Sequence, residues 1–208
     1  WTPSNATENM RLPEGQNGRD TQGFIMNKVR TSGLNHSDDS SLNSYVDLGS
    51  TTTIAAGTAY SIMAWLKPAY LSGNHFIGDS STDFLKINSN NSLILKHNNV
   101  NVSGTDVSNI FTVQNGAGGA LVVDTWYHIA FVRNTSNVVT VYVNGIANGG
   151  ATLDTGTIAQ PFDYRYLGSR SAIYHFGGEC DDFAIYSTEL SAAQVKRNYN
   201  AGKRRHQN

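Results

Sequence analysis

The sequence predicts an all-β fold, an antiparallel sandwich of two sheets with one short C-terminal helix and an extended N-terminal arm. Three observations support this prediction: a hairpin pattern at residues 126–145, several further strand patterns, and a helix-start signal at residue 191. Short strands separated by turns, with no helical period between them, are typical of antiparallel sandwiches. The 208 residues suit one domain of this kind, and the 20 glycines provide for many turns.

The hairpin pattern at residues 126–145 consists of two alternating segments around a polar turn at residues 134–137. Alternation of β-branched and aromatic side chains with a period of two is typical of strands. The first segment places Tyr127, Ile129 and Phe131 on one face, and the second aligns its odd-numbered valines, Val139, Val141 and Val143. Asn144 and Gly145 tolerate positive φ angles, so they predict another turn after the hairpin.

Further strands are predicted at residues 45–48, 60–67, 75–78, 84–88, 93–97, 147–153, 164–167 and 182–186. The segment at 60–67 is apolar on both faces. Ile62, Ala64 and Leu66 point one way, whereas Met63 and Trp65 point the other way. A strand of this kind is predicted to lie in the middle of a sheet that is covered on both sides.

The single helix is predicted to begin after Ser191. Ser191 as N-cap and Gln194 three residues later form the pattern of a capping box. Leu190 and Val195 stand where a hydrophobic staple would place them. The helix is expected to end near Tyr199.

Gly202 is expected to stop this helix in a left-handed conformation. The residues after it include the basic run Lys203, Arg204, Arg205 and His206. A basic run at a terminus is usually solvated, so residues 203–208 are expected to form a basic tail. Contact of this tail with an acidic partner is the alternative.

Residues 1–42 differ from the rest because they have no sustained apolar period. Spaced apolar residues nevertheless occur at Trp1, Met10, Leu12 and Phe24. We expect an extended arm that lies on its own domain or on a neighbouring subunit, with a plain linker as the alternative. A short strand is expected at residues 24–29.

Composition excludes several classes of partner. The net charge of −1 argues against nucleic acid as a ligand, and no apolar run is long enough for membrane insertion. Cys180 is the only cysteine, so no intrachain disulfide can form. No segment resembles a signal peptide, and a chain that begins at Trp1 is expected to be processed or to be a segment of a longer protein.

Three blocks, AYSIMAWLKP at 59–68, WYHIAFVRNTSNVVTVYVNG at 126–145 and GECDDFAIYSTELSAAQVKRNYN at 178–200, occur in this order. Together they resemble the concanavalin A-like lectin/glucanase superfamily, in particular its laminin-G-like jelly-roll domains. The resemblance implies a jelly-roll domain at residues 43–202 with one concave sheet. Within the blocks it implies structural roles for Trp65, Trp126, Asp181 and Asp182. Cys180 stands where the family usually has isoleucine.

Glycoside hydrolases of this superfamily carry Glu-x-Asp-x-(x)-Glu on one strand, with two glutamates as the catalytic pair. Glu179 and Asp181 match the first two positions of this motif. Phe183 and Ala184 occupy the possible positions of the second glutamate. The sequence therefore predicts that the protein is not an enzyme, with a glycoside hydrolase-like activity as the alternative.

Calcium is the ion that the resemblance implies, held at a rim by acidic and backbone oxygens. The aspartates in suitable loop contexts are Asp79, Asp83, Asp106 and Asp154. Aspartates of this kind also favour turns without any ion. No cofactor is required by the sequence, and a calcium-dependent protein-binding module is a second alternative.

Carbohydrate recognition needs exposed aromatic rings beside amides and charges. Three segments of the sequence mix these groups, at residues 70–75, 161–165 and 174–176. The candidate carbohydrate-binding residues in them are Tyr70, Asn74, His75, Tyr164, Arg165, Tyr174 and His175.

The sequence thus predicts a non-catalytic module for glycan binding, for adhesion or for assembly. A neutral sandwich with a long arm also suits a structural protein of a phage virion or of an extracellular assembly. The expected partner is a glycan or a neighbouring structural protein, and a homo-oligomer is a third option. The expected location is the virion or the extracellular space.

Overall fold

A computed structural model describes residues 10–11, 25–26, 29–31, 45–90, 92–97, 108–148, 155–157, 159–171 and 174–207. This part of the chain forms two antiparallel sheets that pack face to face, and the predicted all-β fold is confirmed. The helix at the C-terminal end covers the outer face of one sheet.

The larger sheet has nine strands, in the order β1-β2-β17-β5-β10-β11-β12, with β3 beside β17 and β13 beside β11. Its strands are β1 (Met10–Arg11), β2 (Ile25–Met26), β3 (Val29–Thr31), β5 (Tyr60–Pro68), β10 (Tyr127–Arg133), β11 (Val138–Val143), β12 (Ile146–Ala147), β13 (Thr155–Thr157) and β17 (Gly178–Tyr186). The predicted hairpin is β10 and β11, which pair from Ile129↔Val143 to Arg133↔Val139.

The smaller sheet has six strands, in the order β4-β14-β6-β7-β8-β9. Its strands are β4 (Val46–Ile54), β6 (Asn74–Gly78), β7 (Phe84–Ser89), β8 (Ser92–Lys96), β9 (Ser108–Thr112) and β14 (Phe162–Leu167). A separate two-stranded hairpin is formed by β15 (Ser169–Arg170) and β16 (Tyr174–His175). This hairpin and β9 were not predicted from the sequence.

The core lies between the two sheets. It contains the predicted inward residues of β5, β10 and β11 together with the alternate residues of β7 and β8, Leu85, Ile87, Leu93 and Leu95. The predicted position of β5 in the middle of its sheet is confirmed, since it pairs with β10 on one side and β17 on the other. Its second apolar face is buried as well, because Met63 packs with Val195 of the helix.

Helix α1 (Ala192–His206) contains the predicted capping box. The Gln194 backbone N–H donates to Ser191 Oγ at 3.3 Å, and the Ser191 N–H donates to Gln194 Oε1 at 2.8 Å. The predicted end near Tyr199 is wrong. The helix continues through Gly202, which is buried, to His206. No helix in the described ranges combines the length and apolar content that a bilayer crossing requires.

The expected basic tail is also wrong for Lys203, Arg204, Arg205 and His206, which form the last turn of α1. The reason is a contact that the sequence pattern does not reveal. The His206 ring stacks on Trp65 and lies tilted against Trp126, with centroids 4.5 Å from each. This aromatic packing supplies the burial that keeps the last turn helical.

The described part of the N-terminal arm lies on its own domain. Val29–Thr31 pairs with residues 178–180 of β17, and Met26 pairs with Phe183. These contacts extend the nine-stranded sheet at its β17 side. The expected strand at 24–29 appears as the two short strands β2 and β3. The other residues of the arm lie outside the described ranges.

Three strands differ in length or position from the prediction. β4 continues six residues beyond the predicted 45–48 segment, and β17 begins four residues before the predicted 182. The predicted strand at 147–153 corresponds to β12, which ends at Ala147. Residues 149–154 lie outside the described ranges.

Candidate functional site

The hairpin β15–β16 projects side chains onto the outer face of the six-stranded sheet. After β14 the chain turns at Gly168, whose φ angle is 75°. The Gly168 N–H donates to the Phe76 carbonyl at 2.8 Å, and the Phe176 N–H donates to the Gly168 carbonyl at the same distance. These bonds attach the hairpin to β6, and Arg170 and Tyr174 form a cross-strand pair within it.

Tyr70 and Asn74, two predicted sugar-binding residues, hold this hairpin in place. The Tyr70 hydroxyl donates to the His175 carbonyl at 3.0 Å. The buried Asn74 amide donates to the carbonyls of Tyr70 and Gly177 and accepts the Gly177 N–H at 2.8 Å. Because the Asn74 side chain is already satisfied by backbone partners, we interpret it as a structural clamp.

An aromatic–cationic cluster forms where the hairpin meets the sheet; its members are His75, Phe84, Lys86, Lys96, Arg170 and Tyr174. The Arg170 guanidinium lies 4.0 Å from the ring centre of Tyr174 and 4.9 Å from that of Phe84. The His75 ring meets Phe84 edge-on at 4.9 Å and Tyr174 at 5.5 Å. Tyr174 retains 47% of its surface exposed. The cluster therefore presents one accessible ring on a buried support.

Gly78 is required for the close approach of Arg170 to the sheet. A Cβ atom at this position would lie 2.7 Å from the Asp83 carbonyl oxygen, 3.0 Å from Phe84 Cβ and 3.3 Å from Arg170 Cγ. The absence of a side chain lets the stem of Arg170 cross β6. The guanidinium then reaches the ring of Phe84 on the next strand.

The cluster contains three positively charged side chains around the Phe84 ring. Lys86 Nζ lies 5.6 Å and Lys96 Nζ 5.8 Å from the ring centre, in addition to Arg170. Burial lowers the pKa of Lys86, and the charges of Arg170 and Lys96 lower it further. The pKa of Arg170 is also lowered by burial. The positive charges of this face thus repel one another.

His75 is held in the neutral form. It is 4% exposed, and its Nδ1–H donates to the Gly73 carbonyl at 2.7 Å. Burial, followed by the charges of Arg170 and Lys86, lowers the pKa of His75 to about 3. Its second nitrogen, Nε2, is therefore a hydrogen-bond acceptor, and it has no partner within the described ranges.

Further unpaired nitrogen atoms lie beside it. Arg170 Nε and both ring nitrogens of His175 are buried without a hydrogen-bond partner among the described residues. Burial lowers the pKa of His175, whose ring stacks on Tyr45 at 5.6 Å. Buried polar groups are usually paired, since leaving one unpaired costs about 1–3 kcal/mol. Their concentration around one hairpin marks this region as a candidate site.

Tyr164 and Arg165 do not join the cluster. Tyr164 packs against the core from the inner face of the sheet. Arg165, the next residue of β14, already binds Asp47 of the neighbouring strand β4. Its Nε and Nη2 donate to the two carboxylate oxygens at 2.7 and 2.8 Å. The Arg165 hydrogen bond lowers the pKa of Asp47. The structure thus brings together five of the seven predicted sugar-binding residues: Tyr70, Asn74, His75, Tyr174 and His175.

The two described aspartates of the predicted calcium site stabilise a turn. Asp83 is buried and accepts the Asp163 N–H at 3.1 Å and the Thr82 hydroxyl at 2.8 Å. Asp79 accepts the Thr51 hydroxyl at 2.8 Å. Residues 45–90 and the other described ranges contain no group of three or more acidic, histidine or cysteine side chains placed to hold a metal. Asp106 and Asp154 lie outside them.

The acidic block at 179–184 lies in β17 of the other sheet. Glu179 pairs with Lys67 at 3.3 Å, and the Asp181 carboxylate lies 3.5 Å from His206 Nε2, against the helix. Phe183 belongs to the core and Ala184 packs under the helix, so neither position presents a carboxylate. The Asp181 carboxylate also accepts the backbone N–H of Asp182 at 2.8 Å, within β17.

Sequence reasoning missed Phe84, Lys86, Lys96 and Arg170. A usable signal exists for the first three, because alternation in β7 and β8 places them opposite the core residues Leu85, Ile87 and Leu95. For Arg170 no such signal exists. Its position depends on the hairpin and on Gly78, which is distant in the sequence.

These features define a jelly-roll sandwich with a candidate ligand site on the outer face of one sheet. A family model described as the Concanavalin A-like lectin/glucanases superfamily matches residues 39–196. Because this match covers most of the chain, the protein belongs to that superfamily, in its laminin-G-like group. No curated protein sequence matches the chain.

A solved pentraxin structure shows the same fold. A native heptameric SAP-like pentraxin from Limulus polyphemus is similar with a TM-score of 0.52 and 15% identity, over 81% of this chain and 79% of the pentraxin. The binding domain of botulinum neurotoxin DC in complex with SialylT has a TM-score of 0.48 and 17% identity, over 93% of this chain and 45% of the toxin domain. The chain thus spans about half of that toxin domain.

Proposed function

We propose that this protein is a non-catalytic carbohydrate-binding module and that the saccharide binds at the aromatic–cationic cluster. The observation that carries the proposal is the Tyr174 ring, which is exposed at 47% although Arg170 and His75 hold it from below and beside. A rigid, exposed ring is the surface on which the apolar face of a sugar ring stacks.

The unpaired nitrogen atoms around the ring supply polar contacts of both kinds. His75 Nε2 is an acceptor and Arg170 Nε is a donor, so the two suit the hydroxyl groups of a saccharide. Both atoms are covered by neighbouring side chains. Hydrogen bonds with a ligand that reached these atoms would remove the cost of leaving them unpaired.

The absence of catalysis is part of the proposal. It is supported by the position of Glu179 and Asp181 in the sheet that the helix covers and by Phe183 and Ala184 at the positions of the second glutamate. Glu179 is paired with Lys67 and Asp181 lies against His206 of the helix, so these two carboxylates do not suit the catalytic pair that glycoside hydrolysis requires. An extracellular or virion location, where glycans are accessible, belongs to the same proposal.

Binding of the intact chain to a glycan array tests the proposal. Tyr174→Ala should lower the affinity for every bound glycan at least tenfold, whereas Tyr174→Phe, which keeps the ring, should change it little. Ile146→Ala is the matched control, because Ile146 is a similarly exposed apolar residue on the other sheet. Equal affinities of the Tyr174→Ala and Ile146→Ala variants, or no glycan bound at all, would contradict the proposed site.

A further inference from the structure

Two positive charges of the aromatic–cationic cluster belong to Lys86 and Arg170. Lys86 and Arg170 make no ion pair with a carboxylate in any described range, and both lie within 5.6 Å of the same ring centre. Other cations of the described chain do pair with carboxylates, for example Lys67 with Glu179 and Arg165 with Asp47. Lys86 and Arg170 thus differ from these two side chains, and they lie on a chain whose net charge is −1.

The acidic residues nearest to Lys86 and Arg170 in the sequence, Asp83 and Asp163, bind other partners. Both oxygens of Asp83 accept hydrogen bonds, from the Asp163 N–H and the Thr82 hydroxyl. Asp163 accepts the Thr53 hydroxyl at 2.6 Å. These carboxylates hold the turn before β7 and the pairing of β14 with β4. None of these hydrogen bonds involves Lys86 or Arg170.

The lowered pKa values of Lys86 and Arg170 agree with this geometry. Burial is the largest cause for each, and for Lys86 the neighbouring cations add to it. An anion placed between the two side chains would reverse the repulsion and compensate for the burial. Arginine is suited to this role because its planar group can donate two parallel hydrogen bonds to a carboxylate or sulfate.

We propose that the saccharide is acidic and that Lys86 and Arg170 bind its carboxylate or sulfate group while a sugar ring stacks on Tyr174. This inference rests on the proposed function and names the ligand class for the same site. A lipid surface fits the face less well. Tyr174 is the only large apolar residue that is strongly exposed there, since the others in the described ranges, Val122, Val123 and Ile146, lie outside the cluster.

The test uses the intact chain and oligosaccharides of equal length: heparin hexasaccharide for sulfate, hyaluronan hexasaccharide for carboxylate, and chitohexaose as the neutral ligand. Isothermal titration should show at least tenfold tighter binding of an acidic hexasaccharide than of chitohexaose. The difference should shrink with added NaCl, because salt screens the charges.

Charge variants identify the side chains. Lys86→Gln should weaken binding of the acidic ligand about tenfold, the factor that corresponds to loss of one charge-assisted hydrogen bond, and should weaken binding of chitohexaose much less. Arg170→Lys, which keeps the charge but not the planar group, should weaken binding of the acidic ligand less than Lys86→Gln does. The matched control is Arg197→Gln, which removes one positive charge from an exposed position of the helix on the other sheet.

The outcomes separate the two proposals. If Tyr174→Ala abolishes binding of acidic and neutral ligands alike and Lys86→Gln affects neither, the acidic ligand is wrong and the carbohydrate site stands. If no hexasaccharide binds, both proposals fail. The same holds if the chain binds vesicles of phosphatidylserine but no saccharide. Equal losses for the Lys86→Gln and Arg197→Gln variants would also overturn the assignment of Lys86.

Discussion

The two sheets have outer faces with similar residue types but different surroundings. On the nine-stranded sheet, Trp65 is buried between the rings of Tyr199 and His206 of the helix, 5.6 and 4.5 Å away. On the six-stranded sheet, Phe84 is surrounded by cations, and Tyr174 remains exposed. Each face has an aromatic centre with charged groups around it, but only the first is covered by a helix of the described chain.

The charges differ in the same way. Under the helix, Asp182 accepts a hydrogen bond from Arg205, and the Asp181 carboxylate lies 3.5 Å from His206 Nε2. Opposite charges there come from the sheet and from the helix. On the other face, no carboxylate of the described residues forms an ion pair with Lys86 or Arg170. The comparison shows that the chain packs its helix on one aromatic and charged face and leaves a ring of the other exposed, which is the face that we propose for the ligand.

The largest expected effect is acid destabilisation from both faces and from the core. His75 on the exposed face and His97 between the sheets have pKa values lowered to about 3, and His128 under the helix to about 4, with burial as the largest cause in each. Lowered pKa values mean that the unfolded state binds more protons below pH 6.5. Unfolding free energy should therefore fall by about 1 kcal/mol per histidine between pH 6.5 and 5.5.

Urea denaturation at pH 7.0, 6.5, 6.0 and 5.5 measures this dependence. The total loss should be about 3 kcal/mol over the last unit for the three histidines. His128→Gln should reduce that slope by roughly a third, whatever its effect on stability at pH 7. A slope that is the same in this variant and in the unchanged chain would show that His128 titrates normally in the fold.

A glycine in the helix tests how closely the covered face is packed. A Cβ atom on Gly202 would lie 2.2 Å from Trp65 Nε1 and 2.8 Å from Trp65 Cε2. Gly202→Ala should lower the unfolding free energy by about 1–3 kcal/mol through overpacking, although alanine favours a helix by about 1 kcal/mol. Chemical denaturation with tryptophan fluorescence measures the change. Stabilisation by this substitution would contradict the docking of the helix on Trp65.

A pair of charge variants compares the two faces directly. Lys86→Gln should raise the unfolding free energy by about 0.2–1 kcal/mol, because it relieves repulsion from Arg170 and Lys96. Arg205→Gln should lower it by about 0.5 kcal/mol, because it removes the partner of Asp182 at a solvent-exposed position. Thermal and urea denaturation of both variants provide the measurement. A loss in the Lys86 variant would remove the contrast between the faces.

The last prediction concerns the start of the helix. Ser191→Ala should cost about 1 kcal/mol, because the Gln194 N–H loses the Ser191 hydroxyl as its partner. Ser191→Asp, which retains an acceptor, is the control and should cost much less. If Ser191→Ala leaves the melting temperature unchanged, the capping box contributes nothing to docking of the helix on the sheet.

The sequence predicts part of the candidate site and misses part of it for different reasons. His75, Tyr174 and His175 are recognisable because aromatic, amide and charged groups share their short segments. Tyr164 looks equivalent but faces the core. In β14 the pairing with β4 shifts between Tyr164 and Tyr166, so the face of each side chain depends on a long-range register that local composition does not reveal.

What the sequence by itself determined is local: the hairpin of β10 and β11, the two-sided burial of β5, the capping box at Ser191 and the family. These depend on side-chain period and on contacts between near neighbours. The tertiary structure alone decided that the helix continues through Gly202 and that Arg170 reaches Phe84. In both cases a glycine leaves room for a side chain that is more than ninety residues away in the sequence. Gly202 leaves room for Trp65, and Gly78 leaves room for Arg170. No local pattern records such a contact, because it exists only once the sheets have paired.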